Sequence, residues 1–180
     1  MIPQPVPALV LGALLAVAPT PHLPDQGPAW PQGRQEACSP TSGQRALDLV
    51  NAERARHGLP ALTADTVLAR AARVHAEDMA RGSFVSHTGS DGSDPSQRVD
   101  GVGYPWIWVG ENIAAGQEAT DEVVLGWIRS RDHLANILSP DAVSAGLAMA
   151  RSWEGEFGTY WVMVYAAADP PSAAVVACHP

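Results

Sequence analysis

Three short runs of the sequence place an ionisable side chain beside residues that shape the backbone. They are SHTGSDGS with His87, GENIA with Glu111, and DHLANIL with His133. Two imidazoles and one carboxylate could line a common pocket, bind a divalent metal, or simply hydrogen-bond to one another. The three groups lie more than twenty residues apart along the chain, so their spacing does not choose among these arrangements.

Two neighbouring residues join the same set of candidate ligand-binding residues. Asn112 directly follows Glu111, and Asp132 directly precedes His133. Asp132 could cap a short helix, or it could orient His133 through the second nitrogen of the ring. The sequence leaves both roles open.

A metal site is one chemistry that this set would allow. His87, Glu111 and His133 form a plausible zinc set, because catalytic zinc sites combine three such ligands with a water molecule. The chain would then be a metal-dependent hydrolase using zinc or another divalent cation. However, the sequence has no HExxH motif and no local ligand spacing, and it has no recognisable nucleophile elbow. The competing hypotheses need no cofactor: a ligand-binding module, or a structural cluster in which the three side chains satisfy one another.

His75 is a different case, because it shares a helix face with Leu68 and Met79 at helical spacing. A lone histidine on an apolar face is usually part of the core. We therefore expect His75 to be a buried neutral ring with one hydrogen bond, and we assign it no ligand.

The elements that must position these residues follow from periodicity and turn signals. Thr120 is a candidate cap for the fourth helix, and Asp132 for the fifth. Helices precede most of the strands without regular alternation, which indicates an α+β fold. The predicted helices are 41–57, 63–81, 95–99, 119–129 and 132–138, and the predicted strands are 110–114, 143–150 and 159–167.

Length and charge limit the classes of function. The 180 residues are 46% hydrophobic and suit a single folded domain. The formal net charge is -8, and the eleven basic residues are all arginine. Nucleic-acid binding requires a basic face, so we expect no nucleic-acid partner.

The N-terminal segment is typical of a signal peptide. Residues 6–18 form an apolar run that is too short for a bilayer span, which needs about 20 residues. The run ends in Ala16-Val17-Ala18, the small-x-small form of a cleavage site. We therefore expect a signal peptide at 1–18, a Pro-rich linker at 19–40, and a secreted, extracellular or periplasmic protein without a transmembrane segment after processing.

The chain has two cysteines, Cys38 and Cys178, which flank the predicted elements. In an oxidising compartment they could form a disulfide across about 140 residues, a constraint worth roughly 4–5 kcal/mol in the chain-entropy model. Two unrelated free thiols are the alternative.

The three runs, in this order, resemble the bacterial branch of the CAP superfamily, which includes cysteine-rich secretory proteins, insect venom antigens and plant pathogenesis-related proteins. LVNAER, GLPAL and HAEDMA resemble the opening helices of that branch, and Pro95 and Arg98 extend the first run. The resemblance covers about residues 42–167. It implies a domain at 41–168 with a C-terminal tail at 169–180. The implied fold is an α-β-α three-layer sandwich with a central, mostly antiparallel sheet and a cleft lined by His87, Glu111 and His133.

The chain departs from the family pattern at two places. Many eukaryotic members have a second glutamate three residues after the helix tryptophan, where this chain has Ser130. Bacterial relatives usually have Pro-Gly before the later histidine and arginine after it, whereas Arg131-Asp132 and Leu134 flank His133 here. A four-ligand metal site is therefore not expected.

The resemblance favours a secreted binding module over an enzyme. Members of the superfamily are known for varied extracellular roles, including sterol and lipid binding, and rarely for a settled reaction. We expect a monomeric module that binds a small molecule, a lipid or a cell-envelope component.

Overall fold

The computed structural model describes residues 42–168, and within them it contains five helices and four strands. The predicted signal peptide, the linker, the tail and the Cys38–Cys178 disulfide lie outside the described residues. The elements in chain order are α1 (Ser42–Arg56), β1 (Thr63–Ala64), α2 (Thr66–Gly82), α3 (Pro95–Gly101), β2 (Trp106–Ala115), α4 (Thr120–Arg129), α5 (Arg131–Ile137), β3 (Ser144–Arg151) and β4 (Thr159–Ala168).

The four strands form one sheet in the order β1-β3-β4-β2. Strand β4 lies between β3 and β2 and is antiparallel to both. Only β1 is parallel to its neighbour, through the pairs Thr63↔Ser144 and Ala64↔Ala145. The prediction of a mostly antiparallel sheet is confirmed, although the two residues of β1 were not predicted as a strand.

Helices cover both faces of the sheet and make the three layers that were predicted. Because successive side chains of β4 point to opposite faces, Val162 and Val164 pack beneath α2, whereas Trp161 and Met163 face the other helices. The cluster on the α2 face includes Leu68, Ala72, Met79, Val99 and Tyr104. The cluster on the opposite face includes Val50, Val124, Trp127 and Ile137 from α1, α4 and α5.

Helix α2 packs in close contact with the sheet at Gly146 of β3. A Cβ atom at this position would lie 2.1 Å from the backbone nitrogen of Ala69 and 2.5 Å from the carbonyl carbon of Leu68. Backbone therefore packs directly on backbone, and only glycine allows this approach. This contact sets the distance between α2 and the sheet. The chain segment that carries His87 begins where α2 ends.

The helix ends show where local patterns were correct and where they were not. Helix α2 begins after Asp65, whose Oδ1 accepts hydrogen bonds from Val67 N at 2.7 Å and Leu68 N at 3.1 Å. Thr120, in contrast, is the first residue of α4, and Ala119 occupies the cap position without a side-chain bond. The prediction that Thr120 caps this helix is wrong.

None of the helices within residues 42–168 is long and apolar enough to cross a membrane.

Candidate functional site

Glu111, in the middle of β2, is the centre of the candidate site. Only 1% of its side chain is exposed, and both carboxylate oxygens have partners. Oε1 lies 2.8 Å from Nδ1 of His87, and Oε2 accepts a hydrogen bond of 2.8 Å from Nη2 of Arg98. A buried carboxylate is costly unless it is paired in this way. We refer to these three residues as the His87–Glu111–Arg98 cluster.

Arg98 projects from α3 and is itself buried, with 5% of its side chain exposed. Besides Glu111, it donates to the main-chain oxygen of His87 at 3.0 Å and to that of Ser93 at 2.8 Å. One guanidinium therefore joins α3, β2 and the 86–93 loop, the segment of residues 86–93 between α2 and α3. The sequence placed Arg98 beside the first run but predicted no role for it. Its position in a capped helix directly after that run was a signal that it could lie near His87.

The 86–93 loop is held against α2 through Asp78. Ser90 donates to Asp78 from its backbone nitrogen at 2.8 Å and from its hydroxyl at 2.6 Å. Burial acts to raise the pKa of Asp78, but the bonds from Ser90, together with the nearby charges of Arg81 and His75, lower the pKa below its ordinary value. Gly92 completes the turn with a φ of 84°, which favours glycine. The loop thus has a fixed shape around His87.

His87 is held at one ring nitrogen and open at the other side. Its Nδ1 faces Glu111, while 54% of its side chain is exposed to solvent. An ionised carboxylate only accepts, so Nδ1 carries the proton in this contact and Nε2 is available as an acceptor in the neutral ring. The neutral ring is therefore arranged to accept a hydrogen bond from a donor outside the cluster.

A network of amide side chains ties α5, which carries His133, to β2. Asn112 Nδ2 donates to the main-chain oxygen of His133 at 3.1 Å and to the buried hydroxyl of Tyr165 at 3.2 Å. Asn136 Nδ2 donates to Asn112 Oδ1 at 2.9 Å and to the main-chain oxygen of Glu111 at 3.0 Å. Asn112 therefore holds α5 against β2, and Asn136, which was not among the predicted site residues, completes this support.

The ring of His133 lies beside the cluster without joining it. Within residues 42–168, no hydrogen bond connects this ring to His87 or Glu111. It packs near Trp127, with ring centroids 6.5 Å apart. Burial lowers the pKa of His133 below its ordinary value, and the charge of nearby His87 lowers it further. His133 is thus favoured as a neutral imidazole at the edge of the cluster.

Asp132 fills neither of the roles left open by the sequence. The cap position of α5 belongs to Ser130, which makes no side-chain cap bond, so the capping role is wrong. The Asp132 side chain is 84% exposed, and its Oδ1 accepts a bond of 3.1 Å from Nε of Arg131. Its influence on His133 is electrostatic, since its charge partly opposes the lowering of the His133 pKa.

His75 is a fully buried ring with one hydrogen bond, as predicted. Its Nε2 lies 2.7 Å from the main-chain oxygen of Ser86, and its Nδ1 has no partner among the described residues. The bond to Ser86 anchors the beginning of the 86–93 loop. His75, Asp78 and Arg98 also line a cavity of about 250 Å³ between α2 and this loop.

The donor groups do not fit a divalent metal centre as they are arranged. Within residues 42–168, no three His, Cys, Asp or Glu side chains form a group that could hold a metal ion. Glu111 uses one oxygen for His87 and the other for a guanidinium, so a cation would have to compete with Arg98. Of the three predicted zinc ligands, His87 and Glu111 contact each other, and the ring of His133 is bonded to neither.

Comparison with known proteins decides the family. Residues 47–165 match the profile of CAP, the cysteine-rich secretory protein family. The chain belongs to the CAP family. This match covers the helices and strands that carry the cluster, from within α1 to within β4.

Individual relatives agree with this assignment. The chain is 31% identical over 122 residues to the uncharacterized protein YkwD of Bacillus subtilis, covering 68% of this chain and 46% of YkwD. Among solved structures, an extracellular protein containing an SCP domain from Bacillus anthracis is 26% identical with a TM-score of 0.62, covering 69% of this chain and 40% of that one. An outer surface protein from Borrelia burgdorferi has the same TM-score at 20% identity, covering 68% of this chain and 90% of that one, and shows the fold alone. The chain thus spans less than half of the length of these two Bacillus relatives.

Proposed function

We propose that this CAP domain is a secreted binding module whose cleft at His87 takes a small molecule, a lipid or a cell-envelope component. The observation that carries the proposal is the half-exposed imidazole of His87, which a buried carboxylate holds in one orientation at 2.8 Å. A fixed orientation reduces the entropy lost when the ring binds a partner. His133 and Asn112 contribute to the same cleft in this proposal, His133 at its edge and Asn112 by holding α5.

A second pair of a histidine with a glutamate, on α1, shows what is different about His87 and Glu111. On α1, His57 lies 3.2 Å from Glu53, and 48% of the His57 side chain is exposed. That pair is four residues apart on one helix, so helical geometry alone brings it together. His87 and Glu111 are 24 residues apart, and three separate segments and a buried arginine are needed to hold them. This long-range support favours a role in binding over a role in local surface structure.

Export is part of the same proposal. The family to which the chain belongs is described as secretory, and the solved Bacillus anthracis relative is described as extracellular. Removal of residues 1–18 would leave a mature N-terminus near Pro19, which mass spectrometry of the secreted protein would detect.

A hydrolase remains the less favoured function. A neutral His87 with Nδ1 bonded to a carboxylate is oriented as a general base would be. However, no nucleophile was recognised in the sequence, and the arrangement around Glu111 does not supply a metal-activated water. The arrangement of the cluster therefore supports a binding function more strongly than a catalytic one.

Co-sedimentation tests the proposal with two defined probes: purified bacterial peptidoglycan, and phospholipid vesicles with and without sterol. We expect the wild-type protein to sediment with one of them. His87→Ala should lower the association constant by about three- to tenfold, the value of one hydrogen bond. His57→Ala is the matched control and should bind like the wild type. Equal binding by wild type, His87→Ala and His57→Ala would contradict the proposed site, and so would no binding of the wild type to either probe.

A further inference from the structure

The residue types of His87, Glu111 and His133 raise the expectation of a metal, and the arrangement of charges argues for something else. We infer that Arg98 takes the place of a metal ion, so that the His87–Glu111 pair works without a divalent cation. Arg98 supplies a permanent positive charge 2.8 Å from Glu111 Oε2. The role that a bound cation would have, compensating the buried carboxylate and keeping it an acceptor for His87, is thereby filled by the protein.

The position of Arg98 is fixed by several contacts at once. Its Nη1 donates to the main-chain oxygen of Ser93, and its Nη2 donates to the main-chain oxygen of His87 as well as to Glu111. These groups lie in the 86–93 loop and in β2. If the guanidinium moved away, the buried Oε2 of Glu111 would lose its hydrogen-bond partner, which is costly. Arg98 is thus a built-in counter-ion.

A divalent cation faces two obstacles in this arrangement. Both oxygens of Glu111 are already used, and His87 turns its Nδ1 toward one of them. A cation bound to Glu111 would also lie a few ångströms from the guanidinium charge, in a region where little solvent screens the repulsion. His133 does not complete a ligand set either, because no three His, Cys, Asp or Glu side chains within residues 42–168 form a group that could hold a metal ion.

This inference concerns the same cleft as the proposed function, but it does not require any ligand to bind there. Arg98 acts through Glu111 and His87 and is therefore a positioning residue. A failure of the ligand-binding experiment would leave the inference untouched, and a zinc site would overturn the inference without excluding a ligand.

Isothermal titration of Zn²⁺ into the full chain tests the inference by differences between variants. Histidines outside the cleft contribute equally to every protein in the series and cancel. We expect the wild type, Glu111→Gln and His87→Ala to give the same heats, because neither Glu111 nor His87 takes part in binding Zn²⁺. Zinc binding by the wild type that is lost in Glu111→Gln or in His87→Ala would overturn the inference, and this comparison does not require any variant of Arg98 to fold.

Removal of the guanidinium should create the site that it now blocks. In Arg98→Met, confirmed as folded by circular dichroism, we expect Zn²⁺ to bind at least about tenfold more tightly than in the wild type, because a nearby positive charge has been removed. Arg45→Met is the matched control: Arg45 also pairs with a carboxylate, Asp121, but at an exposed position without a histidine. It should show no gain, and the double variant Arg98→Met/His87→Ala should lose the gain. A folded Arg98→Met that binds Zn²⁺ no better than the wild type would contradict the inference.

Discussion

At the scale of single residues, the important feature is that Glu111 has two cationic or potentially cationic partners on different segments. His87 contacts one oxygen and Arg98 the other. The sequence indicated that His87 and Glu111 belong together, because each lies in a run that also shapes backbone. It did not indicate Arg98 as a partner, because an arginine on a short helix normally faces solvent, and only the fold shows that this one is buried.

His75 provides a residue-scale prediction that separates structure from function. Burial lowers the pKa of His75; the nearby Arg98 charge lowers it further, whereas Glu111 and Asp78 oppose the shift. A histidine with a lowered pKa in the folded state stays neutral while the unfolded chain takes up a proton. The stability that results is complete above the ordinary histidine pKa of about 6.5 and is lost as the pH falls below it.

We therefore expect the free energy of unfolding of the wild type to decrease between pH 7 and pH 5. His75→Gln should be about 1–3 kcal/mol less stable at pH 7, because a buried hydrogen-bonded ring is replaced. Its stability should also depend less on pH in this interval. Urea unfolding at several pH values measures both effects, and an unchanged slope in His75→Gln would contradict the assignment of the pH dependence to this ring.

At the scale of elements, the positions of the loop and of α5 relative to β2 decide whether the cluster forms. Ser90 and Asp78 hold the loop to α2, and Asn112 and Asn136 hold α5 to β2. Element types and approximate bounds could be predicted, because periodicity and turn residues are local signals. These cross-links could not be predicted, because they join residues that are far apart in the sequence. Strand β1 was missed because a strand of two residues has no periodicity.

The contact between α2 and β3 gives an element-scale prediction with two glycines of opposite expected effect. Gly146→Ala should destabilise the domain by about 1–3 kcal/mol or more, because its Cβ would overlap the α2 backbone. Gly126 lies within α4, and a Cβ added there would meet no atom of another described element within 4 Å. Gly126→Ala should therefore stabilise the domain by about 0.5–1 kcal/mol through helix propensity. Thermal unfolding of both variants measures the signs, and equal effects would contradict the close approach at Gly146.

At the scale of the whole molecule, the α-β-α sandwich was predicted correctly, and its three layers are confirmed. The resemblance carried most of this prediction, since the order of helices and strands alone indicated only an α+β fold. The five candidate residues did not all contribute in the expected way. His87 and Glu111 meet, Asn112 supports α5, His133 lies at the edge, and Asp132 points to solvent.

The disulfide between Cys38 and Cys178 is a whole-molecule prediction that lies outside the described residues. If it forms, Cys38→Ser should lower the melting temperature under oxidising conditions, because the unfolded chain is no longer constrained. With a reducing agent present, wild type and Cys38→Ser should melt at nearly the same temperature. An equal loss in both conditions would show that the cysteine side chain acts without a bond.

The central claim is that buried Glu111, compensated by Arg98, holds His87 through Nδ1 and leaves Nε2 free for a ligand. The most direct measurement is ¹⁵N nuclear magnetic resonance of the His87 ring, assigned by its loss in His87→Ala, at a pH where the ring is neutral. The tautomer of a histidine follows the hydrogen bond that its other nitrogen makes. We predict that the proton resides on Nδ1 and that Nε2 is bare. A neutral His87 with its proton on Nε2 would contradict the account.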